Sequence, residues 1–174
     1  MAGSLIKIDE ETVTSAVASV TLGGTDWNSS YDVYLVKVNN MQTDTDANDL
    51  FYRVVNSSGV AQTTSNYDYA RKVLRTDTTF SNSSQTNQDK FQDIRGGTGT
   101  GEQLNGIFYL FNFNNASEYS FVTNETTAFD EVPKLVGTAG GGVYTVAEQH
   151  YGLQFFYNSN NIEAGTFTLY GLKK

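Results

Sequence analysis

One imidazole, one acidic loop and one run of glycines are the places where the residue types of this chain could do chemistry. His150 is the sole histidine, so any Ser-His-Asp relay would have to use it. No serine stands in Gly-x-Ser-x-Gly, the turn that presents a nucleophile. His150 precedes Tyr151-Gly152 at the start of an expected strand, where a surface or turn side chain is the ordinary reading. A single histidine excludes a multi-histidine metal site, and the absence of cysteine excludes thiolate zinc, disulfides and Cys nucleophiles.

Asp44-Thr45-Asp46-Ala47-Asn48-Asp49 opens like a calcium loop, with oxygen donors at alternate positions. The EF-hand pattern needs glycine sixth and glutamate twelfth, and Asp49 and Val55 occupy those places, so an EF-hand is rejected. A looser calcium site and a solvated turn whose Asp and Asn side chains cap their own backbone both stay open. Gly96 to Gly101 lacks the Lys-Ser/Thr of a phosphate cradle and leads into a strand, not a helix.

A glycosidase needs two carboxylates at a set separation. Asp9, Glu10 and Glu11 read as exposed, while Glu118, Glu125, Asp130, Glu131, Glu148 and Glu163 fall at strand ends or in loops. None sits in an apolar stretch that would raise its pKa. Trp27, Tyr67 and Tyr69 could stack on sugar rings, although core or hairpin packing is the commoner fate of such residues. These residues give no catalytic, cofactor-binding or metal-ligating assignment, and the chain reads as non-enzymatic.

The elements that must carry these residues are strands. Period-two alternation dominates and helical period is nearly absent. Residues 12–22 alternate with Ala16, Ala18, Val20 and Leu22 on one face. Residues 31–38 are apolar on both faces, as in a central strand, and Asn39-Asn40 is expected to end it. Further strands are expected at 50–55, 67–74, 106–113, 118–123, 143–146 after Gly140-Gly141-Gly142, 153–157 and 164–171. The last two read as a closing pair joined by a polar turn. Residues 76–92 read as a polar surface excursion, with a weak edge strand near 91–95, and Pro133 falls in the connection before the three glycines. Turn punctuation at this spacing predicts an all-β fold: an antiparallel two-sheet sandwich of about eight to ten strands. A length of 174 residues suits one domain over 12–174, preceded by an N-terminal arm over 1–11.

Net charge is −8 and the sequence pI is near 4.5. The densest basic group, Arg71, Lys72 and Arg75, is flanked by Asp68 and Asp77, so the positive footprint that nucleic-acid binding requires is missing. No apolar run is long enough to span a bilayer as a helix, and residues 1–11 lack the apolar core of a signal peptide. Synthesis in the cytoplasm without membrane insertion is therefore expected.

The order of segments resembles a known family. Ser4-Leu5-Ile6-Lys7-Ile8-Asp9-Glu10, Ser15-Ala16-Val17-Ala18-Ser19-Val20-Thr21-Leu22, Tyr31-Asp32-Val33-Tyr34 and Asn66-Tyr67-Asp68-Tyr69-Ala70 are followed by Phe111-Asn112-Phe113-Asn114-Asn115-Ala116-Ser117-Glu118-Tyr119-Ser120-Phe121 and Gly165-Thr166-Phe167-Thr168-Leu169-Tyr170-Gly171. Together these look like the small virion proteins of tailed phages, especially marine ones, and the related modules of tail fibres and other appendages. Leu22-Gly23-Gly24-Thr25-Asp26-Trp27 departs from the pattern, because relatives run more directly into the second strand. The resemblance implies a jelly-roll-like sandwich on the particle surface, as a head decoration or fibre component, forming a homo-oligomer and contacting capsid or tail proteins. It implies two alternatives: a receptor-binding module that takes host surface glycans on its loops, and a carbohydrate-acting enzyme.

Overall fold

The computed structural model describes residues 4–130 and 134–173. Its strands are β1 (Ser4–Val13), β2 (Ser19–Gly23), β3 (Val33–Thr43), β4 (Asn48–Val54), β5 (Tyr67–Arg75), β6 (Ser81–Gln88), β7 (Phe91–Gly96), β8 (Leu104–Phe111), β9 (Ser120–Asp130), β10 (Lys134–Tyr144), β11 (Gly152–Tyr157) and β12 (Ile162–Lys173). One short 3-10 turn, Gly24–Asp26, follows β2.

Two antiparallel sheets pack face to face, the larger in the order β1-β12-β3-β8-β9-β10-β5-β6 and the smaller in the order β2-β11-β4-β7. Setting aside the paired insertions β5–β6 and β9–β10 leaves β1-β12-β3-β8 facing β2-β11-β4-β7. In that order each successive strand of the chain changes sheet except from β4 to β7, which is the wrapping of a jelly roll. The insertions pair with each other through β5 and β10 and widen only the larger sheet. The fold is thus the expected all-β antiparallel sandwich, with twelve strands among the described residues in place of about eight to ten.

Aromatic rings fill the space between the sheets. The Tyr52 ring lies 5.0 Å from Phe91, 5.1 Å from Phe108 and 5.9 Å from Phe155, centre to centre, within the range of favourable ring pairs. Leu22, Val36, Leu110 and Leu169 complete a fully buried apolar layer around them.

Several expectations are corrected. Residues 12–22 are not one strand: the chain leaves the large sheet after Val13 and enters the small sheet at Ser19. Val20 and Leu22 are buried as expected, whereas Ala16 and Ala18 are exposed on the crossing. The small residues of that crossing let the chain turn a corner, where Val17 and Ile162 exchange backbone hydrogen bonds of 2.8 and 2.9 Å. Residues 4–11, expected as an arm, lie along β12 of the same chain.

Asn39-Asn40 does not end β3 but marks a bulge in its pairing with β8. Asn40 there has φ of 50°, a conformation that asparagine tolerates better than most residues. Residues 81–88 form an edge strand made almost wholly of Ser, Asn, Gln and Thr. With no apolar face this strand has no sequence signature, yet its polarity suits an edge that must not recruit another sheet. Glu118 and Tyr119 lie before β9, which then runs on to Asp130.

Gly140, Gly141 and Gly142 lie inside β10 rather than before a strand. The Phe91 ring comes up beneath this backbone, and a Cβ at Gly142 would stand 2.4 Å from the ring carbon Cε1. The closing segments are not a hairpin either, since β11 lies in the small sheet and β12 in the large one. Pro133 and Glu131 lie outside the described residues.

Candidate functional site

Strand alternation decides which side chains the large sheet turns away from the core. On β8 and β9 the even-numbered Phe108, Leu110 and Val122 are buried against the small sheet, so Tyr109, Phe111, Phe121 and Thr123 point outward. Pairing register extends this face across strands. Lys7 stands opposite Tyr170 and Tyr170 opposite Leu35. Leu35 stands opposite Tyr109, and Phe111 opposite Phe121. Phe121 in turn stands opposite Val143. Leu5 and Leu172 continue the apolar band at the β1 edge.

Phe121 keeps 43% of its surface exposed and Leu5 keeps 50%, which is unusual for large apolar side chains lying in register. Beside the Phe121 ridge runs a trough of about 520 Å³ over Ala70 and Gly141. A second, of about 570 Å³, lies over Gly106 and Ala139. The small outward residues Ala70 and Gly141 open the first trough and Ala139 the second. The outer face therefore alternates aromatic ridges with apolar-floored grooves.

The outer face of the small sheet is finished differently. The Arg53 guanidinium lies 4.6 Å over the Phe156 ring and the Lys90 ammonium 4.7 Å over Phe51. Arg53 is held there by Asp89, to which Nη2 donates at 2.6 Å. Among the described residues, no cation covers Phe111 or Phe121 in this way.

His150 is not on the surface. Only 1% of it is exposed, and its ring packs edge-on against Tyr144 and Phe113 at 4.8 and 5.8 Å. A hydrogen bond of 2.8 Å joins Nδ1 and the Ser120 hydroxyl, itself buried. Glu148 Oε1 approaches Nε2 at 3.3 Å, but no hydrogen bond forms there. Burial pushes the imidazole pKa down to about 4, so the ring is neutral at pH 7. Ser120, His150 and Glu148 thus stand in contact, but the hydroxyl is sealed under aromatic rings. A nucleophile must reach its substrate, and this one does not.

The acidic loop is spent on cross-ties. Asp44 Oδ1 and Oδ2 accept from the Asn161 backbone N–H at 3.1 Å and its side-chain amide at 2.8 Å, and these bonds hold the Asp44 carboxyl below its usual range. Asp46 Oδ1 accepts from Thr98 N–H and Oγ1, both at 2.8 Å, which pins the glycine-rich loop to the acidic one. Asp49 accepts from Gln92 Nε2 at 2.6 Å and lies 3.4 Å from Arg95 Nε. The three carboxylates therefore face three different partners and do not converge.

Of the aromatics weighed as sugar platforms, Tyr67 and Tyr69 are buried and Trp27 is half-buried. Trp27 stacks 3.9 Å from Tyr34, and its indole N–H donates to Asn114 Oδ1 at 2.8 Å. Asn114 Nδ2 donates to Tyr34 Oη at 2.6 Å and to the Tyr31 carbonyl at 2.7 Å. These rings lock a loop, leaving their faces unavailable for stacking.

The buried carboxylate that sequence reading missed is Asp93 on β7, fully buried. It is satisfied by the Ile94 N–H, the Thr126 and Thr138 hydroxyls and the Asn124 amide, at 2.6 to 2.8 Å. Its neighbours Phe91 and Ile94 were the only local signal. Among the described residues no three His, Cys, Asp or Glu side chains gather as a metal site, and no helix is long and apolar enough to cross a membrane. Neither a family model, a curated protein nor a solved structure matches this chain.

Proposed function

We propose that this chain is a non-enzymatic structural protein of the phage particle surface, a head decoration or a fibre component, which assembles as a homo-oligomer through the outer face of its large sheet. The observation that carries this reading is the uncovered row from Leu5 and Leu172 through Phe111 to Phe121 and Val143. Contiguous apolar surface of this kind marks interaction sites on folded proteins. The wrapped two-sheet core suits a rigid subunit, since jelly rolls recur in capsid and lectin domains. Polar β6 and the charged β1 blunt the two edges of the large sheet, so assembly is directed to its face.

Two measurements test the proposal. Sedimentation of the purified chain over a hundred-fold concentration range should show self-association, and Phe121→Lys should weaken it by at least about ten-fold, because burying an unpaired charge in an apolar contact is costly. A density map of purified particles should show the sandwich in many symmetry-related copies. A chain that stays monomeric throughout and is missing from the particle ends the proposal.

A further inference from the structure

A cavity lined by cations opens in this acidic chain. A space of about 330 Å³ opens between the sheets where β5 and β10 of the large sheet overhang β7 of the small one. Arg71, Arg75, Arg95 and Lys134 line it, with Asp49 the single carboxylate in the wall. Four of the eleven lysines and arginines therefore face one cavity in a protein of net charge −8.

Three of these cations have partners. Arg75 Nε lies 3.2 Å from Asp77, Lys134 Nζ 3.4 Å from the same carboxylate, and Arg95 Nε 3.4 Å from Asp49. Arg71 is different. Its Nε and Nη1 are sealed from solvent and have no hydrogen-bond partner, and its guanidinium lies 5.9 Å from the centre of the Tyr69 ring. Buried donors left unpaired cost free energy, and a guanidinium is the side chain best matched to an oxyanion. Strand register fixes the placement: Arg71 and Val73 share the inward face of β5, opposite Gly140 and Thr138 of β10.

We infer that this cavity binds an oxyanion group, a phosphate, sulfate or carboxylate, beside the Arg71 guanidinium with Arg95 also in its lining. The bound anion offsets the charge of Arg71, the lining cation with no ion-pair partner among the described residues. The site lies between the sheets and not on the outer face, so it stands or falls separately from the proposed assembly role.

The test uses the full chain, dialysed free of oxyanions. Thermal melts are run with sodium phosphate, sodium sulfate and a sulfated monosaccharide, each against sodium chloride at equal ionic strength. A ligand of the native state raises the midpoint in proportion to its saturation. Phosphate or sulfate should raise it beyond chloride, and Arg71→Gln should weaken that response about ten-fold or more, while Lys7→Gln at the far edge leaves it intact. Equal response to chloride and oxyanions, or an unaltered response in Arg71→Gln, overturns the inference. Should Arg71→Gln not fold, the Arg71 Nε–H resonance of the unmodified chain decides: movement on phosphate titration supports the site, and a static resonance overturns it. Tighter binding of the sulfated sugar than of free sulfate identifies a saccharide as the source of the anion, and equal binding identifies the free ion.

Discussion

The Asp93 carboxylate meets the Thr138 hydroxyl at 2.6 Å across the gap between the two sheets. Asp93 is on β7 of the small sheet, and Thr138 is on β10, part of an insertion that widens the large one. Thr126 and Asn124 from β9 reach the same carboxylate. One buried acid therefore fastens both strands of the β9–β10 insertion to the jelly-roll core.

Asp93→Ala should remove the shared acceptor of four buried donors and open a void, lowering stability by about 3 kcal/mol or more. Asn124→Ala, which removes one donor, should cost about 1 kcal/mol. Urea unfolding of both variants checks the order, and equal losses would mean that the carboxylate is not the shared anchor.

His150 makes the fold sensitive to mild acid. Its folded pKa, near 4, lies below the ordinary 6.5, so the unfolded chain binds the extra proton first. Its contribution is complete above pH 6.5 and is lost as pH falls towards 4, by up to about 3 kcal/mol. Urea midpoints at pH 7 and pH 4.5 should differ less in His150→Gln than in the unmodified chain. Parallel pH profiles would show that the ring does not titrate this way.

Gly152 and Gly23 face each other where β11 meets β2. Gly152 has φ of +130°, and a Cβ there would lie 1.9 Å from the Leu22 carbonyl oxygen. Gly152→Ala should cost about 3 kcal/mol or more through strain and clash. Gly101→Ala, where an added Cβ meets nothing within 4 Å, should cost about 1 kcal/mol. Melting midpoints compare the two.

Asn114→Asp keeps the size of the side chain but replaces its donors with an acceptor facing Tyr34 Oη and the Tyr31 carbonyl. The expected loss is about 2 kcal/mol at pH 7 and less at pH 4, where the carboxyl regains a proton to donate. Trp27, the sole tryptophan, stacks in this cluster, and its fluorescence reports the change.

Much of the strand inventory was legible because period two survives wherever one face is buried. The strand expected at 67–74 is one of these, and β5 turns Tyr67, Tyr69, Arg71 and Val73 inward. The polar β6 was invisible because alternation needs two kinds of residue. His150 was misread because a turn position says nothing of what the rest of the chain lays over it. Asp93 was passed over because its three side-chain partners lie 31 to 45 residues away in sequence.

By itself, then, the sequence determined the all-β class, the two-layer packing and the aromatic core, since these follow from local pattern and composition. Only the tertiary structure decided which sheet each strand joins, that β11 and β12 part company, and that Arg71 ends beside Arg95 and Lys134. A strand's alternation specifies which residues seek cover, and only pairing between distant segments specifies what covers them.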